Sequence, residues 1–411
     1  MFSSASAVYS LKRPARCIAG QTPAADCEDQ ETPGFLVGTC SLREENELHL
    51  LGFHEDNNEL LCEKIFSHPD EIWGISPSPR DQSLVLTCGN ACRTQPEATE
   101  GAFKVALWKL PDECPVEEEE DDPRNYSNDT GELGPMKLPL GDPLASVGSF
   151  ETATTAMLWS PTSNQRDALV TLGDGRLTHW DFSSEGFSEV GTASVCREPP
   201  AAASRLTPAA AWDPHRPDQV VTAVGCSMVC WDLRSMSPST TVANAHRYAV
   251  CDVDYNPNKP FCAVTGGEDR LIKFWDLRKP KSPVMVMLGH DHWVCTVKYN
   301  RFHDQLLLSG SSDCMVHLWR VSSVSSAPLL EPDDDHGLEP EDDLGEDLGS
   351  IERMGKGEAA DIRVRTFDEH EDTVTAVVWS ECDAWVMASL SYDGRVILNH
   401  VPSAEKYKIL L

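Results

Sequence analysis

Gly289-His290, Val294, Lys298-Tyr299-Asn300, Ser309-Gly310-Ser311-Ser312-Asp313 and Leu318-Trp319-Arg320 repeat a pattern already spelled out just upstream. The first copy reads Ala245-His246, Val250, Asp254-Tyr255-Asn256-Pro257, Thr265-Gly266-Gly267-Glu268-Asp269 and Phe274-Trp275-Asp276. In both copies His to Asp is 23 residues and His to Trp is 29. A third copy, His370, Val374, Val378-Trp379-Ser380, Ser389 and Asp393, keeps the 23-residue spacing and carries Asn399 where the Trp belongs. Each copy holds three short runs of β-branched and aromatic residues between Gly, Asn, Asp and Pro turns, so each predicts a small antiparallel meander. One such unit is too thin to bury both of its faces, and the copies must stack in a ring.

Self-similarity at this period, with Gly-His near the start and Trp-Asp at the end, resembles WD40 repeats, one four-stranded blade each. The expected fold is all-β: a seven-bladed WD40 β-propeller with two acidic disordered loop insertions, occupying 1–411 as a single domain. Weaker copies supply the other blades. Blade 1 is expected to take Ala7–Leu11 as its inner strand, then Phe35–Cys40, Leu48–Phe53 and Leu60–Phe66. Blade 2 has His68, Ile72–Ile75, Leu84–Cys88 and Val105–Trp108; blade 3 has Ala156–Trp159, Ala168–Leu172 and Arg176–Asp181. Blade 4 has Ala210–Trp212, Val220–Val224 and Met228–Asp232, with Gly225 in place of the turn Asp. After blade 7, Tyr407–Leu411 is apolar enough to be a last outer strand. The ring must close somewhere, because an open blade exposes an unpaired edge.

Two segments fit no blade. Leu110–Asp142 carries 11 acidic and 2 basic residues, and Ser322–Asp361 carries 13 acidic and 2 basic. Runs of one sign and low hydrophobicity do not collapse, so 112–142 and 322–361 are expected to be disordered insertions. Both follow a third strand and precede a fourth, which predicts attachment to the same face. The formal net charge of −32 argues against a nucleic-acid or anionic-membrane surface. The 15 cysteines show no Cys-x-x-Cys pair and no regular disulfide spacing, which predicts free thiols in a reducing compartment. Cys88/Cys92 and Cys226/Cys230 are too sparse to read as zinc ligands. Met1–Ala19 lacks a continuous apolar core and no 18-residue apolar run occurs, so neither a signal peptide nor membrane insertion is expected. A monomeric cytoplasmic protein without metal or cofactor is the expectation.

His290, Ser309 and Asp313 hold the residue types of a hydrolytic triad. The same positions recur as His246/Thr265/Asp269 and His370/Ser389/Asp393, and an enzyme has no use for three equivalent triads. The better reading is structural. Asp accepts from its turn and from His, His meets the Ser or Thr hydroxyl, and that hydroxyl meets the indole N–H of Trp275 or Trp319. His290-x-His292 is not read as a metal pair, since His290 is already engaged. No phosphate-cradling glycine loop, Gly-x-Ser-x-Gly elbow or His-Glu-x-x-His is present, so no enzyme is expected.

Binding remains. In a propeller the turns just after each His and just before each Asp line one rim around the central channel. Here they offer Tyr248, Arg270, His292, Trp293, Asp372 and Tyr392, with Glu71 and Trp73 in blade 2. Exposed Tyr, Trp and Arg are the residues that anchor protein interfaces.

The wording of several repeats resembles one family in particular. Glu71-Ile72-Trp73, Asn244-Ala245-His246, Asn256-Pro257-Asn258-Lys259, Lys273-Phe274-Trp275-Asp276, His303–Leu308, Glu369-His370-Glu371-Asp372, Ser389–Arg395 and Ile409-Leu410-Leu411 look like the EARP- and GARP-interacting WD40 proteins. The resemblance implies a non-enzymatic partner of two related multisubunit vesicle-tethering complexes. It places the protein peripherally at the trans-Golgi network and endosomes, in endosomal recycling, retrograde transport and dense-core granule formation. It supplies no contact residues. A competing reading comes from Trp231-Asp232-Leu233-Arg234 and Trp275-Asp276-Leu277-Arg278. Both match the Trp-Asp-x-Arg signature of cullin-RING ubiquitin ligase substrate receptors, in which Arg234 and Arg278 would contact the adaptor.

Overall fold

A computed structural model describes residues 6–23, 32–90, 103–111, 135–151, 154, 156–161, 167–184, 186–195, 209–327 and 361–410. Their strands form seven sheets, six of four antiparallel strands and one of five whose added edge strand is parallel. The chain is a seven-bladed β-propeller. In blade 5, Val250–Tyr255 lies inside, followed outward by Cys262–Gly267, Leu271–Asp276 and Met285–Leu288. Blade 6 repeats this with Val294–Tyr299, Leu306–Ser311, Val316–Val321 and Asp361–Phe367.

Successive residues of a strand face opposite neighbours, and the buried residues divide accordingly. Leu307 packs with Phe274 and Trp319 between blades 5 and 6, whereas Leu306 and Leu308 pack with Val377 and Trp379 between blades 6 and 7. Seven such clusters exist among the described residues, and each fills one junction between neighbouring blades. Gly266 and Gly310 mark the tightest approach. A Cβ on either would come within 2.7 Å of a methyl of Val294 or Val374, the first residue of the next blade's inner strand.

The ring closes differently from the sequence expectation. Ala7–Ser10 is the outer strand of blade 7, paired antiparallel with Arg395–His400 from Ala7↔Leu398 to Ser10↔Arg395. The inner strand of blade 1 is Ala15–Gly20. Ala7 and Leu11 are buried against Leu398 and Val396, which explains the choice: their apolar faces complete the junction between blades 7 and 1. With that edge taken, Tyr407–Leu411 has no strand to join. Ser403–Leu410 is a helix instead, entered through Pro402, whose carbonyl accepts the N–H groups of Glu405 and Lys406. Pro has no N–H and suits a helix entry. The helix is docked by a buried Arg320–Glu405 ion pair at 2.8 Å.

The expected insertion 112–142 is interrupted by structure. Met136–Pro139 is a strand, paired in parallel with the outer strand of blade 1, Glu59–His68. It buries Leu138 against Phe66 and Leu48 before the chain returns to blade 2 as Ala145–Phe150. The segment thus covers an edge that would otherwise be open. At the other insertion, Ser322–Val324 forms a 3-10 turn and Asp361 begins the outer strand of blade 6. The remaining parts, 112–134 and 328–360, lie outside the described residues.

Candidate interaction rim and central channel

Meander topology puts the connection into each inner strand and the turn between second and third strands on one face. The turns after the first and third strands lie on the other. The three regular repeats therefore bring their His and Asp positions to one rim.

In blade 5, His246 Nδ1 lies 2.7 Å from Asp269 Oδ1 and its Nε2 lies 2.7 Å from Thr265 Oγ1. The Trp275 indole N–H donates to the same hydroxyl at 2.9 Å. A hydroxyl accepting from Trp gives its own proton to Nε2, which leaves Nδ1–H for the carboxylate. Burial raises the Asp269 carboxyl, but His246 and the Arg247 N–H outweigh it and hold the group down at about 2. Blade 6 repeats the arrangement: His290 to Asp313 is 3.0 Å, His290 to Ser309 is 2.7 Å, and Trp319 donates to Ser309 at 2.8 Å. Asp313 is also held well below the usual carboxylate range, with burial overcome by His290 and two backbone N–H groups. Blade 7 is incomplete. His370 reaches Ser389 at 2.8 Å, but its Nδ1 has no partner among the described residues, and Asp393 accepts instead from the Arg395 N–H at 2.8 Å.

Three related networks escape the 23/29 spacing. Thr87 joins His68 at 3.0 Å and Trp108 at 2.8 Å in blade 2. Thr171 receives Trp180 at 2.9 Å in blade 3, and Thr222 receives Trp231 at 2.9 Å in blade 4. The available signal was a Thr nine residues before a Trp in blades 3 and 4; in blade 2 a longer turn hides it.

The expected rim residues separate into two groups. Tyr248, Trp293 and Tyr392 are 51%, 47% and 46% exposed, in the turns of blades 5, 6 and 7. Arg270, His292 and Asp372 are exposed beside them. Arg270 occupies the left-handed region at φ 67°. Glu71, by contrast, is only 4% exposed, so it is not a surface contact. Its carboxylate accepts the Trp73 indole N–H at 3.1 Å and the Asn90 amide at 3.5 Å. Trp73 is half-buried and lines the channel rather than the outer rim. The channel, about 630 Å³, is lined by the inner strands of all seven blades. Inside it Lys298 pairs with Asp252 at 3.0 Å, and Trp159 and Trp379 donate to the Ser76 and Lys298 carbonyls of the preceding blades.

On the opposite face, Arg234 and Arg278 have side chains 72% and 60% exposed. Each is tied to the Asp two residues before it, Asp232 at 3.1 Å and Asp276 at 2.8 Å. No group of three or more metal-ligating side chains occurs among the described residues, and no helix among them is long and apolar enough to cross a membrane.

Compared with known proteins, residues 3–119 and 140–319 match the EIPR1 beta-propeller model. The chain belongs to that family. Residues 362–398 also match the WD domain, G-beta repeat. Full-length relatives of this propeller include an "EARP-interacting protein homolog" of Danio rerio, 36% identical over all of both chains. The human "EARP and GARP complex-interacting protein 1" is 34% identical, again over all of both chains. A "WD repeat-containing protein DWA2" of Arabidopsis thaliana is 31% identical over 96% of this chain and 95% of its own. The EIPR1-type propeller is thus a WD-repeat protein, and several of its relatives are named for interaction with EARP or with EARP and GARP complexes.

Proposed function

We propose that this protein is a non-enzymatic scaffold that binds EARP- and GARP-type tethering complexes. The reading extends to endosomal recycling, retrograde endosome-to-Golgi transport and dense-core granule formation, with the protein peripheral to the trans-Golgi network and endosomes. It acts as a monomer without cofactor, metal or nucleic acid, and 112–134 and 328–360 are acidic spacers. The observation that carries the reading is the full-length likeness to proteins named for interaction with these complexes. Three exposed aromatics in consecutive blades on one face support that face as the contact. The His–Ser/Thr–Trp networks serve to lock the blades that carry them, since they recur with buried rather than accessible hydroxyls.

A second reading, a cullin-RING substrate receptor, is favoured by the exposure of Arg234 and Arg278. Co-precipitation of tether subunits separates the two. Wild type and an Arg234→Ala/Arg278→Ala variant should capture them, while a Trp293→Ala/Tyr392→Ala variant should not. If the rim variant binds normally and the Arg variant binds nothing, the contact lies on the other face. Capture of the ligase adaptor without tether subunits would favour the second reading.

A further inference from the structure

Glu71 fixes Trp73 by accepting its indole N–H, and Phe103 meets the indole edge-on at 5.2 Å and 82°. The free ring face carries Arg16, whose guanidinium carbon lies 4.1 Å from the ring centroid. Arg16 is the second residue of the inner strand of blade 1 and lines the channel at its mouth, on the rim that bears Tyr248, Trp293 and Tyr392.

Arg13, Arg216, Arg301, Arg320 and Arg395 each lie within ion-pair distance of a carboxylate. Arg16 has no such partner among the described residues. A guanidinium stacked on an indole keeps its in-plane N–H donors available and is held in one orientation. Within the channel Lys298 is matched by Asp252, and at its far end the exposed Arg301 is matched by Glu381. The mouth is where a cation is left to receive something.

We propose that Arg16, braced by Trp73, receives a carboxylate side chain of an extended acidic segment that enters the channel mouth from a partner protein. A carboxylate is the planar two-oxygen group that fits a guanidinium fork. A peptide, rather than a free anion, suits the surroundings, because the exposed Tyr248, Trp293 and Tyr392 flank the mouth with apolar surface. Charge complementarity extends to blade 5. Arg247, over Tyr248 at 5.5 Å, and Arg270 also lack a carboxylate within ion-pair distance among the described residues. The chain's own acidic stretches are attached at the opposite face, after third strands. Asp291, Glu371 and Asp372 are exposed in blades 6 and 7, between blade 5 and blade 1 in the ring, so an acidic segment would run from the blade 5 arginines to Arg16 across the channel mouth rather than along that arc of the rim. The inference rests on the rim reading for its face and adds the chemistry of the partner.

The test uses the full chain and three fluorescein-labelled octapeptides, alternating Glu-Leu, Gln-Leu and Lys-Leu, with binding read by fluorescence anisotropy. The Glu-Leu peptide should bind wild type at least fivefold more tightly than it binds Arg16→Gln, and the other two peptides should bind poorly. Arg16→Lys should recover part of the loss, and Arg234→Gln, on the opposite face, should bind the Glu-Leu peptide as wild type does. Unchanged thermal unfolding of the variants secures the comparison. Equal binding to wild type and Arg16→Gln, or no binding of the Glu-Leu peptide, overturns the proposal. Displacement by millimolar inorganic phosphate as effective as by unlabelled Glu-Leu peptide also overturns it, in favour of a small-anion site. Loss of tether capture with peptide binding intact would count against the tether reading alone.

Discussion

Ser6 Oγ lies 2.8 Å from Asn399 Oδ1 and 2.6 Å from Glu369 Oε1, so the N-terminal strand is tied to the position where blades 5 and 6 carry tryptophan. Asn399 is buried, and its polar group meets the strand that closes the ring. Asn399→Leu keeps the bulk but removes the partner, which should cost about 1–3 kcal/mol. Amide exchange should quicken in Ala7–Ser10 and Arg395–His400 while blade 4 is unaffected. Exchange that rises equally in both blades would show that Asn399 has no special part in closure.

Asp313 accepts the Asp291 N–H at 2.9 Å and the Met315 N–H at 3.0 Å besides meeting His290. Asp313→Ala leaves these donors without an acceptor, at about 1–3 kcal/mol for each one that water cannot reach. The melting temperature should fall by several degrees. Gly225 stands at the corresponding turn of blade 4 with φ 59° and open space around it. Gly225→Asn, a residue that tolerates this region, should change the melting temperature little. Similar losses at the two sites would remove the assigned role from Asp313.

The repeat spacing made blades 5 to 7 legible because each keeps a short turn between its second and third strands, whereas blade 2 keeps its His68–Thr87–Trp108 hydrogen bonds across a longer turn that breaks the spacing. The same physics explains the misplacements. Ala7–Leu11 reads as a strand wherever it pairs, and only the empty edge of blade 7, some 390 residues away in sequence, decides its place. Tyr407–Leu410 carries the apolar residues of a strand, yet Pro402 and the occupied edge turn it into a helix. Glu71 sits in a rim motif but is withdrawn by its bond to Trp73. Arg16 was invisible as a site, because nothing local predicts that its strand lies beside that indole.

The strand Met136–Pro139 makes a falsifiable claim about an acidic stretch. Leu138 is fully buried between Phe66 and Leu48, so Leu138→Ala should cost about 2–5 kcal/mol if the strand stays in place. Because the strand can instead peel away, Leu138→Asp should expose it to protease while leaving blades 4 to 6 protected. Cleavage at 135–144 no faster than in wild type would argue that the strand contributes nothing to blade 1.

The last prediction concerns acid. His317 stacks on His290 with ring centroids 4.0 Å apart and an interplanar angle of 11°, and its Nδ1 has no partner among the described residues. Burial, with His290 and Arg363 nearby, pushes His317 down to about 3. Burial likewise lowers His68 and His370. For each of these groups the unfolded chain binds a proton near pH 6.5 and the folded chain does not, so stability is full above that pH and is lost as pH falls toward the folded value. Asp269, held at about 2, acts in the same direction lower down: its contribution is present above about pH 4 and is lost as pH falls to 2. The melting temperature should be level above pH 7, decline from 6.5 to 4, and decline further below 4. A single such histidine adds at most about 1.4 kcal/mol per pH unit inside its window. His317→Gln, which does not titrate there, should flatten the decline between pH 6.5 and 4 and leave the lower limb as it was. A variant whose profile runs parallel to wild type across the upper window would show that His317 is as easily protonated in the folded protein as in the unfolded one.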